Sequence, residues 1–282
     1  MSKSRYTWTE EKNKRFLKEG RGSGELCNYK PWLTIYDVPS EGRAHRPKGW
    51  KTQREHQLLS DIELGYFYYL EWSDKVIDIR EQFPLNLEDT LKIATTKNIP
   101  HPIENSTQTE IVMTTDFLIT SRIGNEIVYS ARSIKPSNKI EDPRVLEKQE
   151  IERQYWEDKN IQWLLIDELV LNKQFVKNID YVHEYYNLTD KEEEEMSLLF
   201  LDYLFNQSHK DSRKKLIDCC NEFDLLYNLE IGSSIYYLRH LYARKYITPQ
   251  DMEQPILPYK IILNEVTINK GGFRKIYGTS IG

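Results

Sequence analysis

The stretch Ile111-Val112-Met113-Thr114-Thr115-Asp116-Phe117-Leu118-Ile119 decides the fold. Its apolar and β-branched residues predict a strand over about residues 111–120. Asp116 lies four or five residues into that strand, from where its carboxylate can reach the end of a sheet. A strand that carries a carboxylate at this position could contribute that side chain to an active site.

A second strand follows directly, over about residues 126–135. The connection 121–125 contains Gly124-Asn125, a pair typical of hairpins, so the two strands should be antiparallel neighbours. The second strand ends in Ser133-Ile134-Lys135. Because residues two apart in a strand face the same side, Ser133 and Lys135 should project into one cleft, which leaves the carbonyl of Ile134 as a further oxygen ligand.

Helical and extended patterns surround this hairpin. Apolar residues at helical spacing predict a helix over about 51–72, which carries Glu63, and alternation predicts a strand over about 76–83. Asp142-Pro143 supplies a helix cap and a first-turn proline for a helix to about residue 159, and the apolar run 161–167 fits a buried strand. The order of these elements predicts a mixed α/β domain over residues 1–168.

The pattern changes after Asp167, where helices dominate. We expect a mostly helical, winged-helix-like domain over residues 169–282, with a possible strand at 259–263 and a basic tail from Lys270. The last of its helices carries basic side chains, namely Arg239, Arg244 and Lys245. Such side chains either contact DNA phosphates and base edges or simply form a solvated face.

The composition is that of a water-soluble protein. The longest apolar stretch is far shorter than the roughly 20 residues of a membrane helix, and the N-terminus leads into polar sequence, so we expect a cytoplasmic protein without membrane contact. The net charge of −5 argues against a nucleic-acid partner, but residues 1–60 hold 13 Lys and Arg against 7 Asp and Glu. This basic N-terminal region is either a solvated arm or a phosphate-binding surface.

Glu63, Asp116 and Lys135 together suggest hydrolysis of a phosphodiester. Carboxylates can hold Mg²⁺, which neutralises charge on the transferring phosphorus. Lys135 would orient or deprotonate the attacking water, or stabilise negative charge on the phosphorus. The spacing of these residues is weak support on its own, because solvent-facing Asp and Lys are common in strands.

Longer motifs strengthen this interpretation. They are Tyr29-Lys30-Pro31-Trp32-Leu33-Thr34, Leu58-Leu59-Ser60-Asp61-Ile62-Glu63-Leu64, Asp78-Ile79-Arg80-Glu81-Gln82-Phe83-Pro84-Leu85, Met113-Thr114-Thr115-Asp116-Phe117-Leu118, Ile134-Lys135-Pro136, Leu146-Glu147-Lys148 and Glu150-Ile151-Glu152-Arg153. Through these motifs the chain resembles the TnsA family, the endonuclease subunit of heteromeric transposases, continuously over about residues 16–167.

The resemblance implies a restriction-endonuclease-like fold and a nuclease that uses Mg²⁺, with Mn²⁺ as a substitute. It implies cleavage of the 5′ strands at transposon ends, beside an integrase-like transposase that acts on the 3′ ends, and contacts of the C-terminal domain and tail with an AAA+ regulator. Glu63, Asp116 and Lys135 match the catalytic positions of the family, Ile134 matches a backbone ligand of the metal, and Glu152 matches an acidic position near the site.

One residue departs from the family pattern. Ser133 stands where the family has Gln, two residues before the lysine, and its shorter hydroxyl would ligate the metal directly, hold a bridging water or weaken the site. Two alternatives to a transposase nuclease therefore stay open. One is a non-catalytic DNA-binding or scaffold subunit of the transposition complex, and the other is a stand-alone restriction-like nuclease.

Overall fold

The computed structural model describes residues 6–38 and 42–269 of the 282-residue chain. The chain divides into two compact units, Met1–Leu171 and Asn172–Gly282. Within the described ranges, no helix is both long and apolar enough to cross a membrane. The basic tail predicted from Lys270 lies outside the described residues.

The first unit is a mixed α/β fold, as the sequence predicts. Its helices and strands, in chain order, are α1 (Glu10–Lys18), α2 (Asp61–Trp72), β1 (Val76–Pro84), α3 (Leu87–Lys97), β2 (Ile103–Glu104), β3 (Thr109–Glu110), β4 (Thr114–Ile123), β5 (Glu126–Ile134), α4 (Pro143–Asp158) and β6 (Gln162–Ile166).

Four of these strands form the central sheet, in the order β1-β4-β5-β6. The first two pairings are antiparallel and the third, between β5 and β6, is parallel, so the sheet is mixed. The predicted hairpin is confirmed, because β4 and β5 pair from Phe117 with Arg132 to Ile123 with Glu126 around a turn in which Gly124 has φ +61°. This register brings the start of β4 beside the end of β5.

The start of β4 is later than the sequence pattern indicates. The strand begins at Thr114, and the apolar Ile111 and Val112 before it pack instead against the buried aromatic side chains of Trp8, Phe16 and Trp32. Asp116 is therefore the third residue of its strand, and it lies at the end of the sheet at which β4 begins and β5 finishes.

The helix that carries Glu63 is shorter than predicted. It begins at Asp61 because Ser60 caps it, with its hydroxyl accepting a hydrogen bond from the backbone N–H of Glu63 at 3.1 Å. The residues before it are extended, and two isolated bridges, His45 with Leu58 and Lys48 with Glu55, fold them back on themselves. Leu58 is fully buried in this arrangement, so its apolar character reflects tertiary packing and not a helical face.

Helix α3 was not anticipated from the sequence. Its N-terminus is capped by the side chain of Asn86, which accepts from the backbone N–H of Asp89, and it ends at Asn98 in the left-handed conformation. Ile93 and Ala94 pack into the main core of the unit together with Trp156 of α4. Helix α4 begins after the cap Asp142, with Pro143 in its first turn, as predicted.

Strand β6 differs from the prediction of a buried strand. It lies at the edge of the sheet with β5 as its neighbour, and its side chains are half-buried or exposed. Trp163 packs against the main core, whereas Leu164 is 44% exposed. An apolar run therefore marks an edge strand here, and the face of the strand that carries Gln162 and Leu164 is exposed.

The second unit is mainly helical. Its elements are α5 (Lys173–His183), α6 (Lys191–Lys210), α7 (Leu216–Leu226), α8 (Ser233–Ala243), β7 (Ile247–Pro249) and β8 (Val266–Ile268). Helix α8 packs against each of the three preceding helices, and β7 and β8 form a small antiparallel sheet. Four helices precede this small sheet, so the C-terminal region is helical as predicted, and its winged-helix-like character stays a prediction. The predicted strand at 259–263 is wrong, since the second strand of the sheet is Val266–Ile268.

Candidate active site

Asp116 is the point at which the candidate site converges. Its Oδ2 atom accepts a hydrogen bond from the backbone N–H of Ile134 at 2.5 Å and from the ammonium of Lys135 at 3.0 Å. The hydroxyl of Ser133 lies 3.4 Å from the same oxygen. The predicted tripeptide at the end of β5 therefore surrounds one carboxylate oxygen of β4.

Glu63 is held rigidly in the first turn of α2. Its Oε2 accepts from the backbone N–H of Leu59 at 2.9 Å, and its Oε1 accepts from the Ser60 hydroxyl at 3.1 Å. The side chain is only 6% exposed. These contacts fix the carboxylate to the start of the helix, so its position does not depend on a flexible loop.

Glu152 lies on α4 and is also buried. Its Oε1 accepts from the hydroxyl of Thr115 at 2.8 Å and from the indole N–H of Trp163 at 3.0 Å. Thr115 in turn accepts from the indole N–H of Trp156 at 2.6 Å. Because Thr115 immediately precedes Asp116, this network anchors the strand at the position of the candidate site.

The environment of the site disfavours the ionised forms of two of its carboxyl groups, Glu63 and Glu152. Burial, reinforced by the charge of Asp116, raises the pKa of Glu63 to about 8 and that of Glu152 to about 7. Burial alone would lower the pKa of Lys135, but the charges of Asp116 and Glu152 outweigh it and the pKa is raised. Lys135 is therefore an ammonium at neutral pH and balances the charge of Asp116, whereas Glu63, with a pKa of about 8, is mostly protonated at that pH.

The donor atoms of the site fit a hard divalent cation. The Lys135 ammonium is 3.0 Å from Asp116 Oδ2 and 2.8 Å from the carbonyl oxygen of Ile134, so these two oxygens already bind a positive charge together. Oxygen donors of this kind suit Mg²⁺. Over the residues that the structure describes, no cluster of three or more His, Cys, Asp or Glu side chains suits a metal.

Two glutamines next to the site were not anticipated from the sequence. The amide of Gln82 lies 3.4 Å from Glu63 Oε2, and the amide of Gln149 donates to the Ser133 hydroxyl at 3.1 Å. The signal for Gln149 was present, because it is three residues before Glu152 and so shares a helix face with it. Gln82 has φ +49° within β1, which no sequence pattern indicates.

The basic residues predicted on the last helix lie in the second unit and are half-buried. The guanidinium of Arg239 lies 3.9 Å from the ring centre of Tyr181 and donates to the Tyr185 hydroxyl at 2.5 Å. The guanidinium of Arg244 lies 4.6 Å from the ring centre of Tyr186. Lys245 follows the helix with φ +56°. A role of these residues in DNA binding stays a prediction, and for Arg239 the contacts indicate packing.

Comparison with known proteins agrees with this architecture. The family described as TnsA-like endonuclease N terminal matches residues 73–168, and the family described as TnsA endonuclease C terminal matches residues 171–250. The chain is 38% identical over 247 residues to the transposon Tn7 transposition protein TnsA of Escherichia coli, with 88% of each chain covered. The identity, the coverage and both domain matches show that this chain belongs to the TnsA family of endonucleases.

Proposed function

We propose that this protein is the Mg²⁺-dependent endonuclease subunit of a Tn7-like transposase and that it hydrolyses the 5′ strands at the transposon ends. The observation that carries the proposal is the convergence of Ser133, Ile134 and Lys135 on one oxygen of Asp116, in a buried site whose charge also raises the pKa of Glu63. Membership of the TnsA family supports the endonuclease activity.

Glu63, Asp116 and the carbonyl of Ile134 are the groups that would hold the metal. A bound Mg²⁺ supplies Lewis-acid stabilisation of the phosphodiester and lowers the pKa of an attacking water. Asp116 and Glu63 place carboxyl groups at fixed positions, since one lies in a strand and the other in the first turn of a helix. A bound cation would favour the ionised form of Glu63, whose pKa is otherwise raised to about 8. Ser133 contributes through its contact with Asp116 Oδ2, and direct ligation by its hydroxyl remains part of the proposal.

The protonation state of Lys135 selects among its possible roles. A lysine that deprotonates water needs a lowered pKa, whereas the carboxylates around Lys135 raise its pKa. We therefore assign the Lys135 ammonium to stabilising negative charge on the phosphorus and to orienting the attacking water. Glu152 accepts a hydrogen bond from Thr115, and it adds to the larger effect of Asp116 in raising the pKa of Lys135.

The proposed partners follow from the family and from the relative's name as a transposition protein. They are double-stranded DNA at the transposon ends, an integrase-like transposase that processes the 3′ ends, and an AAA+ regulator bound by the C-terminal domain and tail. The complex would act in the cytoplasm, where the DNA is.

The decisive experiment measures strand cleavage at a transposon end, with Mg²⁺ and the partner transposase, for the wild type and for Asp116→Ala. We expect the wild type to leave 3′-hydroxyl and 5′-phosphate ends and Asp116→Ala to be inactive, while Asp158→Ala, a change of an exposed carboxylate on α4, stays active. Equal products from the wild type and Asp116→Ala would indicate a scaffold subunit. Cleavage by the wild type without its partner would indicate a stand-alone nuclease.

A further inference from the structure

A buried chain of hydrogen bonds links helix α4 to Asp116. The amide nitrogen of Gln149 lies 3.1 Å from Ser133 Oγ, and Ser133 Oγ lies 3.4 Å from Asp116 Oδ2. Gln149 is 6% exposed and Ser133 is 1% exposed. Both residues are therefore shielded from water, so their hydrogen bonds cannot be exchanged for solvent without rearranging the site.

The chemistry of the three groups fixes the direction of the chain. An ionised carboxylate only accepts hydrogen bonds, so the single proton of the Ser133 hydroxyl points to Asp116. The amide N–H of Gln149 then donates to a lone pair of the same hydroxyl oxygen. Hydrogen bonds arranged head to tail polarise one another, which strengthens the donor that faces the carboxylate.

The other end of the Gln149 amide has no hydrogen-bond partner of this kind in the described part of the chain. Its Oε1 atom is buried and accepts no hydrogen bond from any residue that the structure describes. A glutamine that served only to pack α4 against the sheet would be replaceable by an apolar side chain of similar size, without a buried amide to satisfy. The hydrogen bond to Ser133 is thus what a glutamine provides at this position and an apolar residue does not.

Among the contacts of Asp116 Oδ2, the one with the Ser133 hydroxyl can change its geometry most easily. At 3.4 Å it is longer than a usual O–H···O bond, while the contacts of Asp116 Oδ2 with Ile134 and Lys135 are 2.5 and 3.0 Å. Strand pairing fixes the Ile134 donor, but the hydroxyl of Ser133 rotates. The partner that decides its rotation is Gln149.

We propose that Gln149 is a positioning residue of the active site, which acts through Ser133 to orient the carboxylate of Asp116 toward a divalent cation. The proposal rests on the proposed function for the identity of the cation. It extends the proposed site, because a residue of helix α4, outside the tripeptide at the end of β5, would control the orientation of the Asp116 carboxylate.

The test is a double-mutant cycle on the full-length chain, with Mn²⁺ binding measured by calorimetry as the readout. Outer residues that orient a metal ligand typically contribute about 10–100-fold to metal affinity. We expect Gln149→Leu and Ser133→Ala each to weaken Mn²⁺ binding about 10-fold and the double variant to be no weaker than Ser133→Ala. Ser133→Thr, which keeps the hydroxyl, should retain binding, and Gln154→Leu on the same helix is the matched control.

Additive losses in the double variant, or unchanged binding by a folded Gln149→Leu, would overturn the role of Gln149 alone. Circular dichroism establishes folding, and Gln149→Met replaces Gln149→Leu if the latter does not fold. Asp116→Ala separates this result from the proposed function. If the wild type binds no Mn²⁺, or if the wild type and Asp116→Ala bind it equally, both proposals are overturned. The same cycle in unfolding experiments without metal should show coupling between Gln149 and Ser133.

Discussion

The ammonium of Lys135 and the carboxylate of Asp116 form an ion pair of 3.0 Å in which the lysine also touches the carbonyl oxygen of Ile134 at 2.8 Å. The lysine therefore binds the same two oxygens that suit a metal ion. Its side chain is 31% exposed, so it has room to leave them toward solvent. Removal of the Lys135 ammonium should therefore have opposite effects on the binding of a divalent cation and on catalysis.

Replacing Lys135 by Met should separate binding from cleavage. The variant loses the ammonium that competes for Asp116 Oδ2, so we expect Mn²⁺ to bind about 5-fold more tightly, as expected for a partly exposed ion pair. Strand cleavage should fall by about 10²-fold, because the charge that stabilises the transition state is gone. Calorimetry and a cleavage assay measure the two effects, with the exposed Lys92→Met as control. Weaker Mn²⁺ binding by Lys135→Met would contradict competition between the two cations.

The raised pKa values of Glu63 and Glu152 predict how stability depends on pH. Both carboxyl groups hold a proton more tightly in the folded protein than at their ordinary pKa of 4.5, so their contribution is fully present below about pH 4.5. It is lost as the pH rises through about 7 for Glu152 and about 8 for Glu63. Each group lowers the free energy of unfolding by at most ~1.4 kcal/mol per pH unit within its window.

Urea unfolding between pH 5 and pH 8, without divalent cations, measures this loss. Asp116→Asn removes the charge that adds to the effect of burial on both groups, so the fall in stability should be smaller in this variant. Saturating Mg²⁺ should also reduce the fall, because it favours the ionised carboxylates. A wild type whose stability is constant, or rises, over this range would show that the two pKa values are not raised.

The cap of α2 is expected to matter for both stability and metal binding. Ser60→Ala removes the hydroxyl that accepts from the backbone of Glu63 and donates to its carboxylate. We expect a loss of ~1 kcal/mol in the free energy of unfolding, together with weaker Mn²⁺ binding. Asn86→Ala removes the cap of α3 in the same unit and is the control. It should lose similar stability without affecting Mn²⁺ binding, and an identical pattern in both variants would count against the assigned role of Ser60.

Arg239 is expected to contribute to the folding of the second unit. Arg239→Lys keeps the charge but loses the planar group that stacks on Tyr181 and donates to Tyr185, so thermal unfolding should show a loss of ~1 kcal/mol. The exposed Arg213→Lys should have no effect. If Arg239→Lys leaves stability unchanged but weakens DNA binding with a smaller salt dependence, the residue contacts phosphates instead.

The sequence predicted the parts of the fold that depend on local chemistry. Gly124 and Asn125 indicated the hairpin, and Asp142 with Pro143 indicated the start of α4, because turns and caps are determined by a few adjacent residues. Patterns that arise from distant packing were misleading. The spacing of Leu58 predicts a helix, although a bridge to His45 places it in extended chain. The apolar run of β6 predicts a buried strand, although β6 lies at an edge of the sheet.

The candidate site was predictable in its strand residues and less so in its surroundings. Asp116, Ser133, Ile134 and Lys135 meet because an antiparallel hairpin has a fixed side-chain alternation. The place of Gln82 beside Glu63 is not predictable from the sequence, because it depends on contacts between residues that are far apart in the chain and because glutamine has no preference for the positive φ that it adopts.

Glu63 takes part in two structures at once, because the carboxylate assigned to the cation also closes the first turn of α2 through Leu59 and Ser60. Fraying of that single turn would therefore withdraw a ligand, and ligand binding would in turn suppress fraying. Amide hydrogen exchange at the start of α2 should slow when a divalent cation is added. The exchange rates of these few backbone amides would thus report whether Glu63 is in position to bind the cation.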